Sequence, residues 1–279
     1  MTTPLAKPKA WDDVAEAYAA ELSESFEHFA RTALALAALD APAHVVDVAC
    51  GAGALTRIAV EAGHRVSALD QSEGMLTQLR RRVPAPAATR GADSPHAAGV
   101  DVTLGDGMAL PYADATFDAG FSMFGLMFFP DRAKGFRELR RVLKPGAPAI
   151  VASWAPLSEV PVLATVLGAL AERFPPPPGA PAFQPPLADP AECVAEMSAA
   201  GFRDVVCHAD VQRVETTPNV EAMWTSMQRT NAIVVLRKNA VDPETWTDAA
   251  RFVLARLRER HGTGEQTITM TARLTVGRA

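Results

Sequence analysis

Apolar and polar positions alternate along the chain in two rhythms. Over residues 11–39, Val14, Tyr18, Leu22, Phe26 and Phe29 recur at spacings of three and four, which predicts one or two helices. Val45, Val46 and Val48 then form a short β-branched run that ends in glycines. A helical stretch and a second short apolar run at 65–69 follow. This is a strand–helix–strand unit, the building block of a parallel sheet. The rhythm continues with a helix over 75–83, strands over 100–104 and 117–123, and a helix over 131–143 stopped by Lys144-Pro145-Gly146. A fifth strand covers 147–154. Beyond it lie a helix over 190–200, a strand over 204–214, two helices over 219–238 and 243–261, and a last strand over 266–276, where Ile268, Met270, Ala272, Leu274 and Val276 alternate with polar residues. Seven strands alternating with helices predict an α/β fold. The helices between the last two strands read as an insertion over one end of the sheet.

Two stretches break the rhythm. Residues 84–99 are rich in Ala, Pro and Gly and read as a mobile surface loop. Residues 175–186 hold a proline run that cannot form regular structure, because proline fixes φ and lacks a donor.

Composition narrows the class. The 279 residues are 48% hydrophobic, enough for a sizeable core without disulfides. Basic residues number 27 against 32 acidic, a net charge of −5, which argues against a general nucleic-acid binder and against a polybasic membrane-surface protein. No apolar run is long enough to span a membrane. Cys50, Cys193 and Cys207 are odd in number and show no CxxC spacing, so neither a disulfide framework nor a zinc site is expected. Free thiols, and an N-terminus without an apolar leader core, place the chain in a reducing cytoplasm.

Candidate chemistry concentrates where strand one meets the next helix. In VVDVACGAGALT (45–56), Asp47 lies on the strand while Gly51 and Gly53 occupy the turn, where glycine lets the backbone approach a ligand closely. Asp70 ends strand two, and in an open α/β sheet the ligand crevice lies beyond the carboxyl ends of strands. An acid there can accept both hydroxyls of a ribose; its structural alternative is a helix N-cap, a role Ser72 also suits. A nicotinamide dehydrogenase would use similar parts, but its GxGxxG pattern is interrupted by Thr56. A carboxylate four residues before the first glycine suits a ligand carrying an ammonium and a sulfonium, the combination found in S-adenosyl-L-methionine.

VVDVACGAGALT resembles motif I of class I S-adenosylmethionine-dependent methyltransferases, in particular the branch of ubiquinone/menaquinone C-methyltransferases and related small-molecule enzymes. SALDQSEGML (67–76) is similar to the second motif, GDGMALPYADATFDAGFSMFGLMFFPD (105–131) to the next block, and RELRRVLKPGAPAIVASW (137–154) to the closing helix and strand. WDDVAEAY (11–18) matches a looser pattern for a helix over the methionine end. The resemblance covers 11–154 and departs at Ala54, at the long 84–99 stretch and at Ala147-Pro148. It implies a Rossmann-like, seven-stranded, mostly parallel sheet with helices on both faces and an antiparallel last strand, with helical lid insertions. It implies a cofactor site at Tyr18, Asp47, Ala49, Gly51, Gly53, Asp70, Gln71 and Met75, continuing through Asp106, Gly107, Met108 and Ser122, with Asp106 facing the adenine. The chain then divides into an N-terminal helical cap (1–40), a cofactor-binding core (41–154) and a remainder (155–279) with substrate-covering insertions at 155–190 and 218–264.

Methyl transfer from a sulfonium is an in-line displacement that needs orientation more than a catalytic group. Of the histidines, His44 and His64 read as surface-loop residues at the far end of the sheet, His96 falls in the 84–99 stretch, and His28 on the covering helix is the weak candidate for a base. No histidine has a partner at metal-ligand spacing. For the acceptor, the apolar segment after strand four offers Phe124 and Met127, and the insertion offers Met223 and Met227 on one helical face; Arg229 and Arg237 read as solvated. The expected function is O- or C-methylation of a small phenolic, quinone-like or other metabolite, by a monomer or homodimer. The alternative is a non-catalytic or regulatory protein that binds the same cofactor or its product.

Overall fold

The computed structural model describes residues 4–40, 42–83, 99–179 and 183–279. The 84–99 stretch, except Gly99, lies outside the described residues, as do His96 and residues 180–182 of the proline run. Where one or two N-terminal helices are expected there are three: α1 (Pro8–Asp12), α2 (Ala15–Glu21) and α3 (Ser23–Ala37). The α2–α3 break falls at Leu22, and the hydroxyl of the next residue, Ser23, donates back to the Ala19 carbonyl at 2.6 Å, the local bond by which serine competes with helix continuation.

The sheet is built from β1 (His44–Val48), β2 (Arg65–Asp70), β3 (Gly99–Leu104), β4 (Ala119–Met123), β5 (Pro148–Trp154), β6 (Arg203–Thr217) and β7 (Gln266–Arg278), in the spatial order β3-β2-β1-β4-β5-β7-β6. β1 to β5 are mutually parallel, and β7 runs antiparallel to both its neighbours. The connecting helices are α4 (Ala54–Glu61), α5 (Glu73–Arg82), α6 (Arg132–Val142), α7 (Pro161–Arg173), α8 (Pro190–Ala199), α9 (Val220–Thr230), α10 (Ala232–Asn239) and α11 (Pro243–His261). Valine-rich β1 is buried along nearly its whole length, as a central parallel strand must be. The chain leaves β1 toward β2 and β3 and returns to β4 on the other side. That switch point between β1 and β4 is where an open α/β sheet forms a crevice.

Two further helical features differ from the sequence pattern. The single helix expected over 219–238 is α9 plus α10, because Asn231 adopts an extended conformation and caps α10 through hydrogen bonds from the N–H groups of Ile233 (3.1 Å) and Val234 (3.2 Å). Helix α7 escapes the pattern because its sequence, PVLATVLGALAER, is apolar nearly all round. It buries Val162, Val166 and Leu170 in a second core with Trp224, Trp246 and Leu257 of the insertion. β6 and β7 also outrun the rest of the sheet. Ala272 pairs with Trp154, the last residue of β5, and residues 266–271 pair with β6 alone. This two-stranded ribbon projects roughly 20 Å past the carboxyl edge.

His44 and His64 are not surface-loop residues. His64 is 4% exposed and its Nδ1 accepts the Ala43 N–H at 3.2 Å; His44 opens β1 and hydrogen-bonds Ser67 Oγ at 3.0 Å. Burial holds both imidazoles below their ordinary titration range.

Candidate active site

The carboxyl ends of β1, β2 and β4 open into a cavity of about 510 Å³, lined also by α2, the start of α3, α9, α10 and the β6–β7 ribbon. At its sheet end, β1 presents Asp47, 1% exposed. Asp47 Oδ2 accepts a 2.7 Å hydrogen bond from Thr56 Oγ1 on α4, while Oδ1 is buried without a partner. Thr56, the residue that breaks the dinucleotide pattern, therefore steadies this carboxyl. Burial outweighs the Thr56 bond, and with the nearby Asp70 charge it pushes the Asp47 carboxyl up to about 7.

The turn after β1 is tightly wound. Ala49 and Gly51 both have positive φ, +57° and +55°. A Cβ on Gly125 would stand 2.3 Å from the Ala49 Cβ, so the turn after β4 presses on the turn after β1 and requires glycine there. The Gly51 N–H donates to Asp70 Oδ2 at 2.8 Å, and the Ser72 N–H donates to Asp70 Oδ1 at 2.8 Å. The N-cap of α5 is Ser72, whose Oγ accepts from the Met75 N–H. Asp70 is 7% exposed, is not that cap, and is raised by burial against these backbone bonds. Asp12 of α1 reaches the same point: its Oδ1 accepts from Ser72 Oγ at 2.6 Å and from the Gly74 N–H at 2.9 Å, docking the N-terminal helices over the start of α5.

Of the residues expected to hold a cofactor, the structure brings Tyr18, Asp47, Ala49, Gly51 and Asp70 onto one wall. Gln71, Met75, Asp106, Gly107 and Met108 line it as well. Burial and then the Asp70 charge keep the Tyr18 phenol protonated well above its ordinary range. Asp106 Oδ1 is engaged by the N–H of Met108 at 2.8 Å. Two expected cofactor residues, Gly53 and Ser122, and the candidate base His28 do not line the cavity. Gly53 (φ +84°) lies against α5, where a Cβ would meet Leu79 Cγ at 2.9 Å. Ser122 is fully buried and accepts the Leu126 N–H at 3.1 Å, fixing the turn after β4. The His28 Nε2 is bound to the Gln212 carbonyl at 2.9 Å, so its ring fastens α3 to β6 and is not placed as a base.

The ribbon end is apolar. Phe124, strained at φ +61°, stacks on Trp154 with ring centroids 3.9 Å apart. Phe26 meets both rings edge-on at 5.3 and 5.6 Å. Met127, Met223 and Met227 complete the expected acceptor residues and all line the cavity. Sequence reasoning missed Trp154, Phe26, Glu21 and Glu215, which line it too. Arg229 is not simply solvated. Its guanidinium and Ser226 Oγ bind Glu21 at 2.9 and 2.6 Å, joining α9 to α2. Arg237 lies over the Phe174 ring at 5.6 Å. None of the five described histidines lines the cavity, and no group of three or more His, Cys, Asp or Glu is placed to hold a metal among the described residues. No described helix is long and apolar enough to cross a membrane.

The family model for a methyltransferase domain matches residues 46–151. The chain is 38% identical over 122 residues to a demethylmenaquinone methyltransferase of Corynebacterium kroppenstedtii, covering 44% of this chain and 46% of the relative. It is 36% identical over 124 residues to the corresponding enzyme of Lactiplantibacillus plantarum, covering 43% and 48%. The chain thus spans about half the length of these curated relatives. Among solved structures, the YcgJ protein of Bacillus subtilis superposes with a TM-score of 0.54 at 18% identity, over 90% of this chain and 97% of that one. Phosphoethanolamine N-methyltransferase 2 of Haemonchus contortus superposes with a TM-score of 0.52 at 16% identity, over 90% and 52%. At these identities the structural likeness establishes the fold.

Proposed function

We propose that this chain, whose residues 46–151 match the family model of a methyltransferase domain, transfers a methyl group from S-adenosyl-L-methionine to oxygen or carbon of a flat, largely apolar small molecule. The observation that carries the reading is Asp47: a buried carboxyl with one oxygen lacking a partner, opening on the cavity beside Asp70. An ammonium group on the ligand satisfies that oxygen, and a buried acid without such a partner is costly. Asp70 faces the ribose hydroxyls, with Gly51 and Ser72 holding it in orientation. Asp106 and Met108 frame the adenine, and Tyr18 covers the methionine end. The cofactor supplies an already activated methyl group; the protein supplies alignment and a dry site.

The residues before β1 act as a cap, and 155–190 with 218–264 cover the acceptor. Phe124, Met127, Met223 and Met227 are the acceptor contacts, in an apolar and aromatic setting that suits a planar ring. The demethylmenaquinone methyltransferase relatives make a quinol-like ring the first acceptor to try, though the likeness spans 44% of this chain. Calorimetry with S-adenosylhomocysteine is the test, with one site per chain expected. No heat with S-adenosylhomocysteine and a clear signal with NADH would move the chain to the oxidoreductases.

A further inference from the structure

Glu215 occupies a position that strand patterning would leave apolar. On β6, Val205 and Val211 pack against the main core, and with the two-residue period Arg213 and Glu215 fall on that same inward side. Placing charge on such a face is costly unless the charge is paired, and strand positions that break the local rule concentrate at functional sites. Glu215 lines the cavity, its side chain 32% exposed. Its Oε1 accepts a hydrogen bond from Ser25 Oγ and another from Arg213 Nε at 3.3 Å. Ser25 is itself 4% exposed, so the carboxylate is held from a rigid, buried donor. The other oxygen, Oε2, takes no hydrogen bond among the described residues.

Every other acid on the cavity wall is committed or distant. Asp47, Asp70 and Asp106 sit at the sheet end, and Glu21 is taken up by Ser226 and Arg229. Ser25 immediately precedes Phe26 on α3, whose ring touches both Phe124 and Trp154, and Glu215 lines the same cavity as that aromatic cluster. Apolar pockets gain orientation from a small number of fixed polar groups, and among the described residues this is the one acid at the ribbon end with an oxygen to spare.

We infer that Glu215 is an acceptor-binding residue: its Oε2 accepts a hydrogen bond from a hydroxyl on an otherwise apolar ring lodged against Phe26 and Trp154. A carboxylate accepts from a neutral hydroxyl and repels its anion; Arg213 is shared between Glu215 and Glu24, which leaves this group of three net acidic, so the site takes the acceptor in its protonated form. The inference rests on the methyl-transfer reading only for what fills the sheet end of the cavity.

The test is a binding titration of para-nitrophenol, whose neutral and ionised forms absorb at different wavelengths, with and without S-adenosylhomocysteine. Wild-type protein is expected to bind the neutral form and to move the ionisation of the bound dye to higher pH. Glu215→Gln is expected to remove that displacement, and Glu215→Ala to weaken binding about tenfold or more, as for loss of a hydrogen bond to a charged group. Ser25→Ala, which keeps the carboxylate but loosens it, is expected to weaken binding by roughly threefold and serves if the Glu215 variants fold poorly. No saturable dye binding by the wild type overturns the inference. So does an identical displacement in Glu215→Gln, and with a lowered melting temperature that result would make Glu215 a structural ion-pair member. Calorimetry with S-adenosylhomocysteine on the same proteins separates the two questions. Absence of heat in the wild type would defeat the methyl-transfer reading, while the dye result still judges Glu215.

Discussion

Asp47 is held where ionisation is unfavourable, and that sets a pH dependence with a definite sign. Its carboxyl is raised from 3.8 to about 7 by burial first. An acid raised in the folded state favours the protonated fold, so its contribution to stability is complete below about pH 4 and is lost as the pH climbs toward about 7. A ligand ammonium reverses the preference by pairing with the ionised form. S-adenosylhomocysteine affinity should therefore rise with pH, by up to about tenfold per unit below the Asp47 transition, and level off above about pH 7. Asp47→Asn should bind more weakly and show a flat profile between these limits; a flat wild-type profile would remove Asp47 from the ammonium's partners. Asp70 carries a double load. Asp70→Ala should cost about 2–4 kcal/mol of cofactor binding through the lost charged acceptor. It should also cost about 1–3 kcal/mol of stability, because the N–H groups of Gly51 and Ser72 both lose their partner. A melt that stays at the wild-type temperature beside a failed titration would mean these backbone bonds contribute nothing to folding.

The N-terminal helices and α9–α10 share buried apolar contacts, among them Val14 and Ala15 with Ala232 and Val235, and add mostly exposed polar ones: Glu21 with Ser226 and Arg229, and Asn239 Nδ2 with Asp13 Oδ2 at 3.1 Å. Exposed pairs of this kind contribute about 0–1 kcal/mol, a small addition to the apolar contacts beneath them. Glu21→Ala should accelerate amide exchange in both α2 and α9 by roughly threefold at nearly unchanged melting temperature. Acceleration confined to α2 would show that the lid is held by its own core. The elements before Trp154 were legible in the sequence because each has one strong period: β-branched runs for the buried strands, three-and-four spacing for the helices, glycines at the turns. The lid was legible in kind but not in detail. Asn231 reads as one polar residue within a helical pattern, and only its extended backbone reveals the cap that splits α9 from α10. Helix α7 has too little polar contrast to show a period. At the site, the turn residues Asp47, Ala49 and Gly51 were readable because their neighbours in sequence are their neighbours in space. Trp154, Phe26 and Glu215 come together only through the β6–β7 ribbon and α3. The charged pair Arg213 and Glu215 on the inward side of a strand was the available signal, and its meaning depended on knowing which side was inward.

A small apolar cluster ties the parts of the molecule to one another. It joins Val14 and Ala15 of the cap region, Met75 of α5, and Ala232 and Val235 of α10. The cavity touches all three regions: Tyr18 on the cap, Asp47 and Asp70 on the sheet, Met223 and Ala232 on the lid. A ligand filling it contacts each of them, so binding should stabilise the described fold as one unit instead of one lobe. At a hundredfold excess over its dissociation constant a ligand stabilises the folded state by about 2.7 kcal/mol. With an unfolding entropy near 2.1 cal/mol/K per residue, that raises the midpoint of a chain of this length by roughly 5 °C. Calorimetric melting with S-adenosylhomocysteine at that excess should show a single transition displaced upward by this amount, and the displacement should disappear in Asp47→Asn. A melt that splits, with only the later-melting part responding to the ligand, would mean that the lid helices unfold independently. The acceptor contacts of Met223 and Met227 would then not be fixed before the acceptor arrives, and alignment of the acceptor would fall to Phe124, Trp154 and Glu215.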